Sequence, residues 1–236
     1  MVKLIRDKNI QKANEILYIL YALDEVGKSS VSKVGLQKIY YLSSLLSPIK
    51  DVIMSIIRFY SQLRGPYNSE IQNTVDQLVA FGLVDVCAFK SLNYNAALSE
   101  YKINTEGKKV VDSLIKYPKE EEKNWWINFI TKCTFLYSKE DLYDKNKEYQ
   151  GFDTIVNLVY KDSTYEIIKK NAKKNYPIDI DNERLPTNEL IKFTKNYIES
   201  NRKNLNFGNE RNTAEIIILT YFEFLYSKFI ESKSYE

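Results

Sequence analysis

Histidine is absent from all 236 residues. The commonest general base, the commonest metal ligand and the side chain that titrates nearest physiological pH are therefore missing together. The two cysteines, Cys87 and Cys133, form no CxxC pair and cannot make a zinc site alone. They are expected to be reduced thiols in a cytoplasmic protein. Only seven glycines are present, so a phosphate-cradling loop has little material. GxxxxGK, GxGxxG, GxSxG and HExxH are all absent. The most apolar late stretch, Ile216 to Ile230, contains Glu223 and Lys228 and is too short and too charged to span a bilayer. The opening MVKLIRDKNIQK has no apolar core of a signal peptide. An excess of one charge is missing too: 34 basic against 31 acidic residues leave +3, which argues against a surface devoted to polyphosphate.

What is present is apolar and aromatic. Hydrophobic residues make up 44%, enough for a real core, and tyrosine alone occurs 19 times. With abundant Lys, Asn and Ile, this composition fits an AT-rich bacterial coding bias, interface enrichment in aromatics, or both.

Apolar residues at three-and-four spacing from Ile10 to Val26 predict an amphipathic helix after a polar lead-in, with Gly27 as C-cap. Ser32 can cap a second helix whose apolar face is Leu36, Ile39, Tyr40, Leu42, Ser43 and Leu46, ended by Pro48. Asp51 to Arg64 suits either a strand or a short helix. Arg64-Gly65-Pro66 reads as a turn. Asn68 or Ser69 can cap a third helix with Glu70 in its first turn and Ile71, Val75, Leu78, Val79 and Phe81 as its buried stripe, ended by Gly82. Leu83 to Phe89 and Tyr101 to Ile103 predict a two-stranded ribbon, and Asn104 or Thr105 a cap for a helix through Ile115. The run Tyr117 to Lys123 (YPKEEEK) reads as a boundary. The second half reads as helical throughout, with a stripe from Trp126 to Leu136, Thr187 as a cap, and a last helix apolar almost all round. Such a helix is expected at the centre of a core or under a partner.

Candidate chemistry is thin. Glu121-Glu122-Lys123 matches the ExK fragment of a metal-dependent nuclease, but it precedes a helix inside a charge run and reads as a solvated linker. Asp179, Asp181 and Glu183 alternate as in a calcium loop, without the required Gly and distant Glu. Cys87, between Val86 and Ala88, reads as a buried structural thiol. Of Trp125 and Trp126, at most one can face a ligand, because adjacent helical positions point about 100° apart.

Nucleic-acid binding is testable on the third helix. From Gly65 to Phe89 there is no Lys or Arg. Gln72, Asn73 and Gln77 could read adenine edges, but beside Glu70 and Asp76 and without cations to hold the phosphates. The basic residues lie elsewhere: Lys28, Lys33, Arg64 and Lys90. They are the candidates for weak nucleic-acid contact. Tyr67, Trp125, Tyr221, Phe222 and Phe229 are the candidates for partner contact, since aromatic anchors dominate interfaces.

LQKIYYL (residues 36–42) followed by FYSQLRGPYNSEI (59–71) resembles the YwgA-like and Panacea-type winged-helix proteins. Leu36, Gln37, Lys38, Tyr41, Gly65, Pro66, Tyr67, Ser69 and Glu70 occupy positions of that pattern. Tyr101 to Gly107 loosely matches its closing Tyr-x-Leu-Thr-x-x-Gly. The resemblance covers residues 10–117. It implies a mainly α fold with a small β wing: a winged helix-turn-helix over 1–117 and an all-helical domain over 118–236. Related chains are similar to antitoxin-like factors and to the middle component of ABC-three-component defence systems, including Lamassu. By that resemblance the chain is expected to be a non-catalytic bridging subunit without cofactor or metal. Its partners would be an SMC- or Rad50-like ATPase and a separate effector, with DNA touched only weakly or through the complex. A DNA-binding regulator or antitoxin is the alternative.

Overall fold

The computed structural model describes residues 2–28, 30–62, 65–93, 96–138, 159, 162, 164–166, 175–180, 182, 184–205 and 210–233. They form a mainly α-helical fold with two small, open, three-stranded sheets. The helices expected over 151–160 and 164–174 fall largely outside these residues.

Helix α1 (Val2–Glu25) starts earlier than the polar lead-in suggests. No Gly or Pro interrupts residues 2–9, so the helix nucleated by the apolar stripe propagates backwards through good helix formers. It ends where Gly27 takes a φ of 75°. Lys28 N–H then reaches Leu23 C=O at 2.9 Å and Gly27 N–H reaches Asp24 C=O at 3.0 Å, the paired bonds of a left-handed helix stop. After strand β1 (Val31–Ser32), the Ser32 hydroxyl caps α2 (Lys33–Leu45) by accepting from Gly35 N–H at 3.1 Å. Every residue of α2 from Gly35 to Leu45 is buried, so this helix is the centre of the molecule. Pro48 bends the chain into a single 3-10 turn, Ser47–Ile49.

The ambiguous segment resolves into an irregular link and then a hairpin, β2 (Arg58–Gln62) and β3 (Gly65–Tyr67). Gly-Pro-Tyr is thus a strand rather than the expected turn. Gly65 enters that strand with a φ of 93°. Pro66 is tolerated because β3 is an edge strand. The sheet is completed by β6 (Pro177–Asp179), which pairs antiparallel with β2.

Asn68 caps α3 (Ser69–Ala80) through its Oδ1, which accepts from Glu70 N–H at 2.7 Å. Ile71, Thr74, Val75 and Leu78 are buried, but Phe81 is 76% exposed. It sits at the C-cap, beyond the helix's last buried position, where Gly82 (φ 69°) turns the chain away. The second sheet has the order β1-β5-β4, with β4 (Val84–Asn93) and β5 (Ala96–Ile103) forming a long antiparallel ribbon irregular between Val86 and Ala88. Asn104 caps α4 (Thr105–Leu114). A Cβ added to Gly107 would lie 2.3 Å from Leu83 C=O, so glycine is what lets α4 sit against the start of the ribbon.

YPKEEEK is not a linker. Pro118 opens α5 (Pro118–Ser138), with Glu120 and Glu121 in its first turn, where the helix dipole favours them. This helix packs on α1 and α2. Tyr18 donates to Glu120 at 2.6 Å, and the Trp126 indole N–H donates to Ser43 C=O of α2 at 3.0 Å. Leu136, expected in the buried stripe, is exposed. Helices α6 (Pro186–Leu205) and α7 (Glu210–Lys233) follow. A single core runs continuously across residue 117, from Ile16 and Leu42 through Trp126 to Phe222 and Leu225.

Candidate functional site: the outer face of α3 and the joints behind it

The outer face of α3 carries Ser69, Glu70, Asn73, Asp76, Gln77, Ala80 and the exposed Phe81 ring. Lys12 of α1 pairs with Glu70 at 2.6 Å. Gln72 is committed: its amide donates to Asp76 Oδ1 at 2.6 Å and to the Tyr101 hydroxyl at 2.8 Å. Of the three residues able to read adenine edges, only Asn73 and Gln77 stand exposed, on a stripe with carboxylates and no cation of its own.

Two of the four expected cations have described side chains, and both stand at β1 rather than on α3. Lys28 and Lys33 are half-buried and flank β1, with Lys28 lining a shallow cleft beside Asp24, Tyr101 and Lys102. Lys90 lies on β4 opposite Leu98, where only the backbone is described. Arg64 lies outside the described residues.

The expected partner-binding aromatics divide. Tyr67 is half-buried and stands opposite Tyr60 in the hairpin. Trp125 is half-buried and stacks on Phe129, ring centroids 6.2 Å apart, while Trp126 is buried. Tyr221, Phe222 and Phe229 are covered by the chain itself. Phe222 stacks on Tyr137 of α5 at 5.6 Å. Helix α7 packs on α5 and α6 and buries Ile217, Ile218, Tyr221, Phe222 and Leu225, while Leu219, Phe224 and Ile230 stay partly exposed among polar residues such as Glu223 and Glu231. Among the described residues, the exposed aromatics that were not among the partner candidates include Phe81, Tyr117, Tyr176, Phe193 and Tyr197. For Phe193 and Tyr197 a signal existed. They stand four apart on α6, on a different side from the buried Ile191 and Ile198. Cys87, expected buried, is exposed on β4; partial desolvation raises its thiol pKa. Burial pushes the Cys133 thiol up to about 12.

Two buried carboxylates, neither anticipated, join the halves of the chain. Glu15 of α1, 0% exposed, accepts from the Tyr40 hydroxyl, from Ser55 N–H and Oγ, and from Lys123 Nζ of α5 at 2.9 Å. The sequence-level nuclease lysine is thus a structural counter-ion. Asp162 is the second. Its Oδ1 accepts from Tyr221 at 2.6 Å and from Thr187, and its Oδ2 from Tyr41 at 3.1 Å and Tyr165 N–H at 2.8 Å. Thr187 therefore uses its hydroxyl on Asp162 and Thr164 rather than as a helix cap. Burial raises the Asp162 pKa, against the four donors that favour its charged form. It also raises Tyr41 and Tyr221 well above the ordinary phenol. Both carboxylates have their oxygens occupied by protein donors, which suits joints between elements.

Among the described residues no group of three or more His, Cys, Asp or Glu could hold a metal ion, and no helix is long and apolar enough to cross a membrane. Asp179 pairs with Arg58 at 2.9 Å, while Asp181 and Glu183 lie outside the described residues. The sequence matches no known family model and no curated protein.

Proposed function

We propose that the first half of the chain is a winged helix used to bind protein, within a non-catalytic subunit that bridges an SMC- or Rad50-like ATPase and a separate effector in bacterial defence. The element order α1-β1-α2-α3-β4-β5, with β1 antiparallel to β5 and β5 to β4, supports the winged-helix reading. The β2–β3 hairpin inserted before α3 is an addition to that order. The observation that carries the protein-binding reading is the outer face of α3. The helix that would enter a groove presents Glu70, Asp76 and a 76% exposed Phe81, and no Lys or Arg. Phosphate contacts supply most affinity for nucleic acid, and this face would repel them. An exposed aromatic ringed by polar groups is instead the usual anchor of a protein interface.

The test is tagged purification from the native host, with the products of neighbouring genes identified and their stoichiometry measured. Stoichiometric recovery of an SMC-like ATPase, weakened by Phe81→Asp without loss of helical signal, is the expected result. Recovery alone at physiological salt, with tight selective binding to its own upstream DNA, would replace the proposal with a transcriptional regulator or antitoxin.

A further inference from the structure

Two consecutive side chains of α2 hold the start of α3. The Gln37 amide accepts from Asn68 N–H at 2.9 Å and donates to Asn68 C=O at 2.8 Å, as a neighbouring strand would. Lys38 Nζ donates to Pro66 C=O at 2.6 Å. Together they occupy the backbone of β3 and of the residue that caps α3, and they shield that sheet edge.

We propose that Lys38 is a proton-operated latch that fixes α3 against α2 when its amine is neutral and loosens it when the amine is charged. The geometry requires a choice between these forms. Lys38 is 2% exposed and has no carboxylate partner among the described residues. The charged groups on the surrounding elements are engaged elsewhere. Glu15 of α1 and Lys123 of α5 bind each other, Glu120 of α5 binds Tyr18, and Glu70 of α3 binds Lys12. Arg58 of β2 binds Asp179, Glu100 of β5 binds Ser30, and Asp162 binds Tyr41. Of the titratable hydroxyls on packed strands, Tyr101 of β5 bonds to Gln72. A buried ammonium with one carbonyl acceptor remains underhydrated, whereas a neutral amine makes the same bond without that penalty. Burial accordingly lowers its pKa to about 7. The folded protein releases this proton as pH rises through about 7, while the unfolded chain holds it until about 10.5. This group's contribution to stability is therefore lowest below pH 7 and rises across that window. Protonation favours any displacement of β3 that admits water to Nζ, and β3 leads directly into the α3 cap.

The test uses the whole chain. The Lys38 side-chain resonance, assigned through bonds, is titrated by NMR. Hydrogen exchange, corrected for intrinsic rate, is compared at about pH 6 and about pH 9 in wild type and Lys38→Met. The expected result is a Lys38 midpoint near neutrality, with residues 65–81 exchanging about tenfold faster at the lower pH in wild type, and no such change in Lys38→Met. A midpoint above about 9, or exchange in 65–81 that changes no more than in α1 and α5, would overturn the latch. Both of those readings come from the wild type, so they decide the matter even if Lys38→Met does not fold.

Discussion

Glu15 shows what a single residue does in this chain. It is a fully buried carboxylate on α1, and it draws Tyr40, Ser55 and Lys123 to one point. Lys123 is itself only 14% exposed at its side chain. Glu15→Gln removes the charge and strands the ammonium, so unfolding free energy should fall by about 3–5 kcal/mol, the usual cost of breaking a buried pair. Adding Lys123→Met should restore a large part of that loss. Urea titrations of the four proteins in the cycle check this, and a double mutant less stable than Glu15→Gln alone would contradict the pairing. The pair was not legible in the sequence, because Lys123 sits in a charge run that by composition reads as solvated. Only the packing of α5 on α1 reveals its partner.

At the scale of elements, two glycines set angles. Gly65 has a φ of 93°, in the region where a Cβ is strained. Gly65→Val should lower stability by about 1–2 kcal/mol, read from the melting curve, and an unchanged melting temperature would remove the claim. Gly107→Ala meets a backbone carbonyl rather than a flexible side chain. It should destabilise by about 1–3 kcal/mol and disturb β4 amides near Leu83 more than those of α7. The helices were the readable elements. The caps at Ser32, Asn68 and Asn104 are fixed by side-chain chemistry a few residues away, so local sequence suffices. The β2–β3 hairpin and its third strand were not readable, because β6 comes from more than a hundred residues later in the chain. Strand pairing at that distance leaves no periodic signal.

For the whole molecule, the apolar last helix explains the continuity of the core, while the surface that remains free lies elsewhere. Phe222→Ala should cost about 3–5 kcal/mol and Phe81→Ala under about 0.5 kcal/mol, measured by chemical denaturation. Equal effects would mean that Phe81 is also held in a core. Of the expected partner-binding residues, Tyr67 and Trp125 keep accessible surface, whereas Tyr221, Phe222 and Phe229 are buried. A hydrophobic helix reads the same in sequence whether its own chain or another covers it.

If α3 presents a protein-binding face, as proposed, it should not read a DNA groove. Fluorescence anisotropy of the full chain with duplex DNA, upstream and scrambled, tests it at low and physiological salt. Parallel titrations use the variant carrying Gln72→Ala, Asn73→Ala and Gln77→Ala together. Binding should be weak, about micromolar or poorer at physiological salt, equal for both sequences, steeply salt-dependent and unchanged by the triple substitution. Nanomolar binding selective for the upstream duplex and abolished by that substitution would contradict it.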